Sequence, residues 1–154
     1  MKTILIIEDD EFKAKSLRDF MQARDSTSSI FVVSSLVEAI SAINSSEYDY
    51  VLIDMAIPSH PLKVGEGAPI SLLTGGLEVL LELQSLERSD PCIIITQYPD
   101  IEISGQFFPL DKASEEIKSQ LGCSVLTCVE YRESDPKWKK QLGTTLDNNE
   151  NSIT

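Results

Sequence analysis

Ile4-Leu5-Ile6-Ile7-Glu8-Asp9-Asp10 and Tyr50-Val51-Leu52-Ile53-Asp54 are the two stretches on which the reading of this chain turns. Each is a short apolar run that stops at acid. Carboxylates are costly to bury, so an apolar strand that ends in an acid delivers it to a sheet edge or a ligand crevice. If the two strands are neighbours, three or four carboxyl groups share one small volume. Like charges that close cannot all stay ionised without compensation. A hard divalent cation with oxygen ligands supplies it, and Mg2+ is held in this way by one or two carboxylates plus water.

On either side of these stretches the chain alternates strand and helix. Residues 3–7 suit a strand buried on both faces. Residues 11–24 read as a helix with Ala14, Leu17 and Met21 on one face and Lys13, Lys15 and Arg18 off it. A polar break at 25–29 precedes a second strand at 30–33. Ser35-Leu36-Val37-Glu38 is a capping-box pattern that opens a helix with Leu36, Ile40 and Ile43 on one face. The third strand is 50–53. Residues 59–73 hold two prolines and two glycines without a clear period, and read as a long loop. A helix over 77–87 leads to a fourth strand, 91–96, which ends in the hydroxyl of Thr96. Residues 97–110 read as irregular, 111–121 as a short helix stopped by Gly122, and 124–129 as the fifth strand. Asp135-Pro136 suits a helix start, and Trp138, Leu142 and Leu146 form the apolar face of a last helix. The pattern predicts an α/β fold, flavodoxin-like: a doubly wound, parallel five-stranded sheet with right-handed crossovers. Ligands of such folds bind outside the C-terminal strand ends, where the strand order reverses. Glu8, Asp9, Asp54 and Thr96 are expected to converge there.

The 154 residues suit one domain, read as 1–146 with the insert at 59–73, followed by a polar tail at 147–154 that is expected to be flexible. A net charge of −12 argues against non-specific binding to nucleic acid or to an anionic membrane surface. No apolar stretch is long enough to span a bilayer, and the N-terminus lacks the features of a secretory signal. Cys92, Cys123 and Cys128 sit in or beside apolar runs, which suits reduced thiols in a cytoplasmic protein.

The run from Ile4 to Asp10, the segment Tyr48-Asp49-Tyr50-Val51-Leu52-Ile53-Asp54-Met55-Ala56-Ile57-Pro58, the helix start Gly76-Leu77-Glu78-Val79-Leu80 and the strand Ile93-Ile94-Ile95-Thr96 together resemble the receiver domain of two-component response regulators. The resemblance extends to about residue 129. It implies that Glu8 and Asp9 hold Mg2+ together with Asp54 and the backbone carbonyl of Ala56. It implies further that Asp54 accepts a phosphoryl group, and that the Thr96 hydroxyl contacts it and reports its presence. The implied partners are a histidine kinase or phosphotransfer protein and a separate effector, with a second copy of the chain also open; no catalysis is implied beyond the aspartyl phosphorylation itself.

The chain departs from the family at three places. A lysine is usual at the end of the fifth strand, where this chain has Val129-Glu130; Arg132 and Lys112 are the candidate substitutes. The family's aromatic switch position falls near Leu126, with Tyr131 displaced from it. The 59–73 insert replaces a short turn and is expected over the site. These departures motivate a second expectation, a degenerate receiver that binds partners without phosphorylation. Other chemistries fit poorly. Ala56 stands where a dehalogenase-type phosphatase or a Toprim nuclease would have an aspartate, and no Gly-x-Gly-x-x-Gly or Walker A motif occurs.

Overall fold

A computed structural model describes residues 1–60, 71–72 and 75–152. The elements are β1 (Thr3–Ile7), α1 (Glu11–Arg24), β2 (Ser29–Val33), α2 (Leu36–Ser45), β3 (Tyr50–Ile53), β4 (Ile57–Pro58), β5 (Ser71–Leu72), α3 (Gly75–Ser85), β6 (Cys92–Thr96), β7 (Asp100–Ile103), β8 (Gln106–Pro109), α4 (Leu110–Leu121), β9 (Thr127–Glu130) and α5 (Lys137–Ser152). The main sheet has the order β2-β1-β3-β6-β9, and every neighbouring pair is parallel. The order turns back between β1 and β3, because the chain runs outward to β2 and then returns across β1.

The two-residue period of a strand divides each apolar run between the faces of the sheet. Leu5, Ile7, Val51, Ile53 and Ile94 pack with Ala39 and Ile43 of α2, Leu80 and Leu83 of α3 and Ile117 of α4. Ile4, Ile6, Leu52, Ile93, Ile95 and Val129 pack with Leu17 and Met21 of α1 and Trp138, Leu142 and Leu146 of α5. The doubly wound, flavodoxin-like α/β architecture is as expected. Both faces being covered is why these runs read as continuous rather than alternating.

Two segments differ from the sequence reading. Residues 100–109, expected to be irregular, form the antiparallel hairpin β7–β8. Ser104 and Gly105 at its tip both have positive φ, 53° and 83°, the backbone that a tight two-residue hairpin turn requires. Ile101 and Ile103 point into the core while Asp100 and Glu102 lie nearer the surface, so the alternation was present but short. Residues 147–152, expected as a flexible tail, continue α5. They are held there by Arg24, which reaches Asp147 at 2.5 Å and Glu150 at 3.0 Å. The 59–73 insert falls largely outside the described residues; its ends are joined by the antiparallel pair of β4 and β5.

At the N-terminal end of the sheet Arg88 acts as a clasp. Its guanidinium donates to the carbonyls of Ile43 and Ser46 at the end of α2 and forms a bidentate contact with Asp90, at 3.0 and 2.7 Å. Asp90 also accepts from the Tyr48 N–H at 2.8 Å. Truncation leaves a nearly buried carboxylate and two carbonyls without their donor, so Arg88→Ala is expected to lower the unfolding free energy by about 3 kcal/mol in urea titration. Burial pushes the thiols of Cys92 and Cys128 up to about 12. Thiolate is the reactive form, so iodoacetamide at pH 8 is expected to leave both unlabelled in the native protein and to label them on unfolding, as read by peptide mass spectrometry.

Candidate functional site

The site is built from residues that immediately follow strands. In the register of β1 and β3, Ile7 lies beside Ile53, so Glu8 and Asp54 leave the sheet side by side. Backbone bonds fix them: Glu8 N–H donates to Val33 O at 2.9 Å and Asp54 N–H to Ile7 O at 3.0 Å. Both side chains are buried, whereas Asp9 is exposed. One carboxylate oxygen from each of Glu8, Asp9 and Asp54 lies within 4.8 Å of the others. Asp10 turns away to cap α1, accepting from Lys13 N–H at 2.9 Å.

Into this acid pocket projects Lys13, which is 0% exposed. Its Nζ stands 2.5 Å from Glu8 Oε1 and 3.3 Å from Asp54 Oδ1, and it donates to Ile95 O at 2.7 Å. The Tyr131 ring lies beside it, 5.7 Å from Nζ to centroid. Amphipathic spacing set Lys13 off the apolar face of α1. The structure buries it because side chains in the first turn of a helix lean back toward its N-terminus, and α1 begins directly above the ends of β1 and β3. The cation beside the acids is therefore Lys13. Arg132 is paired with Glu130 at 2.9 Å with a largely exposed side chain, and Lys112 is exposed in the first turn of α4; neither makes an ion pair with the acids among the described residues.

Burial pushes the Glu8 carboxyl up to about 8; the Lys13 ammonium opposes the shift and the Asp54 charge adds to it. Asp54 is likewise raised, by burial first, with Lys13 opposing and Asp9 adding. With all three acids ionised, one ammonium leaves two negative charges uncompensated. Among the described residues, Glu8 Oε1 and Asp54 Oδ1 face Lys13 but accept no regular hydrogen bond, while Glu8 Oε2 is engaged by Asp10 N–H at 3.0 Å. Buried carboxylate oxygens with acceptor capacity to spare suit a hard divalent cation such as Mg2+.

Thr96 ends β6 fully buried. Its Oγ1 accepts from Tyr98 N–H at 3.2 Å and its carbonyl accepts from Tyr131 N–H at 2.8 Å. Among the described residues the hydroxyl makes no further hydrogen bond, which leaves its hydrogen to donate. Ala56 is half-buried in the turn after Asp54. Gly76, at the start of α3, was quoted in the sequence only as part of a motif, and the structure gives it a reason. A Cβ there would lie 2.9 Å from both Asp54 O and Met55 Sδ. Gly76 N–H also donates to Met55 O at 3.1 Å. The helix thus props the backbone that carries Asp54.

A parallel sheet of this order, with acids at the β1 and β3 ends and a hydroxyl at the β6 end, defines a receiver. The chain belongs to the response regulator receiver domain family, whose profile matches residues 4–111. That match ends ahead of β9, the strand whose end lacks the usual lysine. Among curated proteins the chain is 31% identical over 141 residues to the Detocs response regulatory protein DtcB of Vibrio alginolyticus, covering 90% of this chain and 95% of that one. It is 25% identical over 141 residues to the DtcB of Enterobacter cloacae, covering 90% and 94%. The fold is shared with the N-terminal domain of a response regulator/sensory box/GGDEF protein from Carboxydothermus hydrogenoformans (TM-score 0.63, 18% identity, covering 99% and 100%). It is shared also with the response regulator TrrA of Thermotoga maritima, solved in complex with Mg2+-BeF (TM-score 0.57, 20% identity, covering 94% and 99%).

Gly76→Ala is expected to displace the Asp54–Met55 backbone and lower stability by about 1–3 kcal/mol, as read from chemical-denaturation curves.

Proposed function

We propose that this chain accepts a phosphoryl group on Asp54, with Mg2+ held by Glu8, Asp9, Asp54 and the carbonyl of Ala56, and passes the change to a separate partner protein. The observation that carries the reading is the buried Asp54 carboxylate at the reversal point of the sheet, its Oδ1 free of regular hydrogen bonds among the described residues and its neighbours Glu8 and Asp9 within ligand distance. Phosphoryl transfer asks little covalent chemistry of a protein; it asks for an in-line nucleophile and positive charge on the phosphoryl oxygens. Mg2+ held by these residues would supply that charge and orient the donor. Asp54 is the nucleophile, held by its N–H to Ile7 and by the close seat of Gly76. Thr96 donates its hydroxyl hydrogen toward an oxygen on the phosphorylated side chain. Because Thr96 Oγ1 also accepts from Tyr98 N–H, that reorientation is felt at the entry to the β7–β8 hairpin, which carries the exposed Phe107 ring. The hairpin and the adjoining strand end are the surface offered to an effector, and the donor is a histidine kinase or phosphotransfer protein. None of the described helices is long and apolar enough to cross a membrane, and the reading takes the chain as cytoplasmic.

A second reading, a receiver that binds its partner without phosphorylation, is favoured by one observation: Lys13 closes the resting pocket by ion pairs to Glu8 and Asp54. Acetyl phosphate with Mg2+ separates the two. The expected result is a hydroxylamine-labile mass gain of one phosphoryl group in the wild type and none in Asp54→Asn, with Mg2+ affinity at least about tenfold weaker in Glu8→Gln/Asp9→Asn. A wild type that gains no mass, while still binding its partner, leaves the second reading standing.

A further inference from the structure

A phosphoryl group on Asp54 would bring about two negative charges into a pocket that already holds Glu8 and Asp9. Among the described residues, the ammonium that faces these acids comes from α1, not from the far side of the sheet. Lys13 has three donors and three oxygen neighbours, of unequal kind. The bond to Ile95 O is a regular hydrogen bond to a neutral acceptor at the end of β6. The contacts to Glu8 Oε1 and Asp54 Oδ1 are ionic, without regular hydrogen-bond geometry. Ile95 and the Tyr131 ring can therefore hold the ammonium in place while its acidic partners change. Glu8 has little freedom of its own, since Asp10 N–H takes its other oxygen.

We propose that Lys13 is the cation of the transfer step and, in the resting protein, the competitor of Mg2+ for Glu8 Oε1. The proposal rests on the phosphorylation reading above. In the step itself an Asp54 carboxylate oxygen attacks the phosphorus of an acyl phosphate. The Asp54 O–P bond forms as the donor's P–O bond breaks, and the carboxylate leaving group departs with that electron pair. No proton is transferred. Lys13 leaves Glu8 for a phosphoryl oxygen, which frees Glu8 Oε1 as a metal ligand. One ammonium thus opposes the metal before transfer and works beside it afterwards. A lysine that only holds the fold together would do neither.

The test uses the full chain, with Mg2+ titrations followed by the fluorescence of its single tryptophan, Trp138, whose ring packs tilted against Tyr131 with centroids 5.1 Å apart, and with acetyl phosphate as donor. Lys13→Met removes a fixed positive charge next to the metal ligands, so Mg2+ affinity is expected to rise by about tenfold. The rate of phosphoryl incorporation is expected to fall by about 100-fold. A variant damaged only in its fold loses both, so opposite movements identify the role. If Lys13→Met does not fold, Lys13→Gln, which keeps donors for Ile95 O without the charge, carries the same expectation. Mg2+ affinity that fails to rise, or incorporation at the wild-type rate, overturns the proposal. If the wild type itself takes no phosphoryl group, the phosphorylation reading fails, while the Mg2+ arm still decides whether Lys13 competes for the acids.

Discussion

Two buried carboxylates and one buried ammonium share a pocket from which water is largely excluded, and the elements around them are arranged so that none of the three charges is left alone. Uncompensated, any one of them would cost several kcal/mol. β1 and β3 bring Glu8 and Asp54 together through parallel pairing, α1 lowers Lys13 between them, and β6 supplies the Ile95 carbonyl that steadies it. The apolar layers on both faces of the sheet give the fold its stability. The charges give it a single arrangement of strand ends. This division of labour explains why the acids look extravagant in the sequence and well supported in the structure.

The fold was legible because its signals were redundant. Five apolar runs, each followed by a helical period, leave little alternative to a parallel sheet, and Ser35 and Glu38 announce the start of α2 in the residues themselves. The acids of the site were legible for the same reason that they are costly: an acid closing an apolar strand has few structural explanations. Lys13 was not, because a helical wheel counts which side a residue faces and ignores that first-turn side chains lean toward the helix start. The hairpin β7–β8 was missed because only β7 alternates, and over four residues, although Ser104-Gly105 was a usable turn signal. The helical continuation over 147–152 was not legible because it is met by Arg24 from α1, a contact between residues at opposite ends of the sequence.

The two ends of the sheet serve different ends. At the N-terminal side, Arg88 ties α2 to the start of β6 through four of its five N–H donors. At the C-terminal side, carboxylate oxygens keep unused acceptor capacity. Nearly saturated hydrogen bonding favours one rigid arrangement, and incomplete hydrogen bonding leaves a site able to take up a ligand.

Placing the cation on α1 also bears on how the molecule can loosen. Lys13 and Glu8 lie on the same short segment of chain, so their encounter closes only a small loop and survives transient opening elsewhere. β9 is an edge strand, and its end touches the pocket through the Tyr131 ring and the Tyr131 N–H bond to Thr96 O. Were the charge carried by β9, fraying of that edge would strand the acids. With the charge on α1, an opening of that outer edge leaves the ion pairs of Lys13 with Glu8 and Asp54 in place, and the edge of the domain can be exchanged against solvent without unlocking its centre.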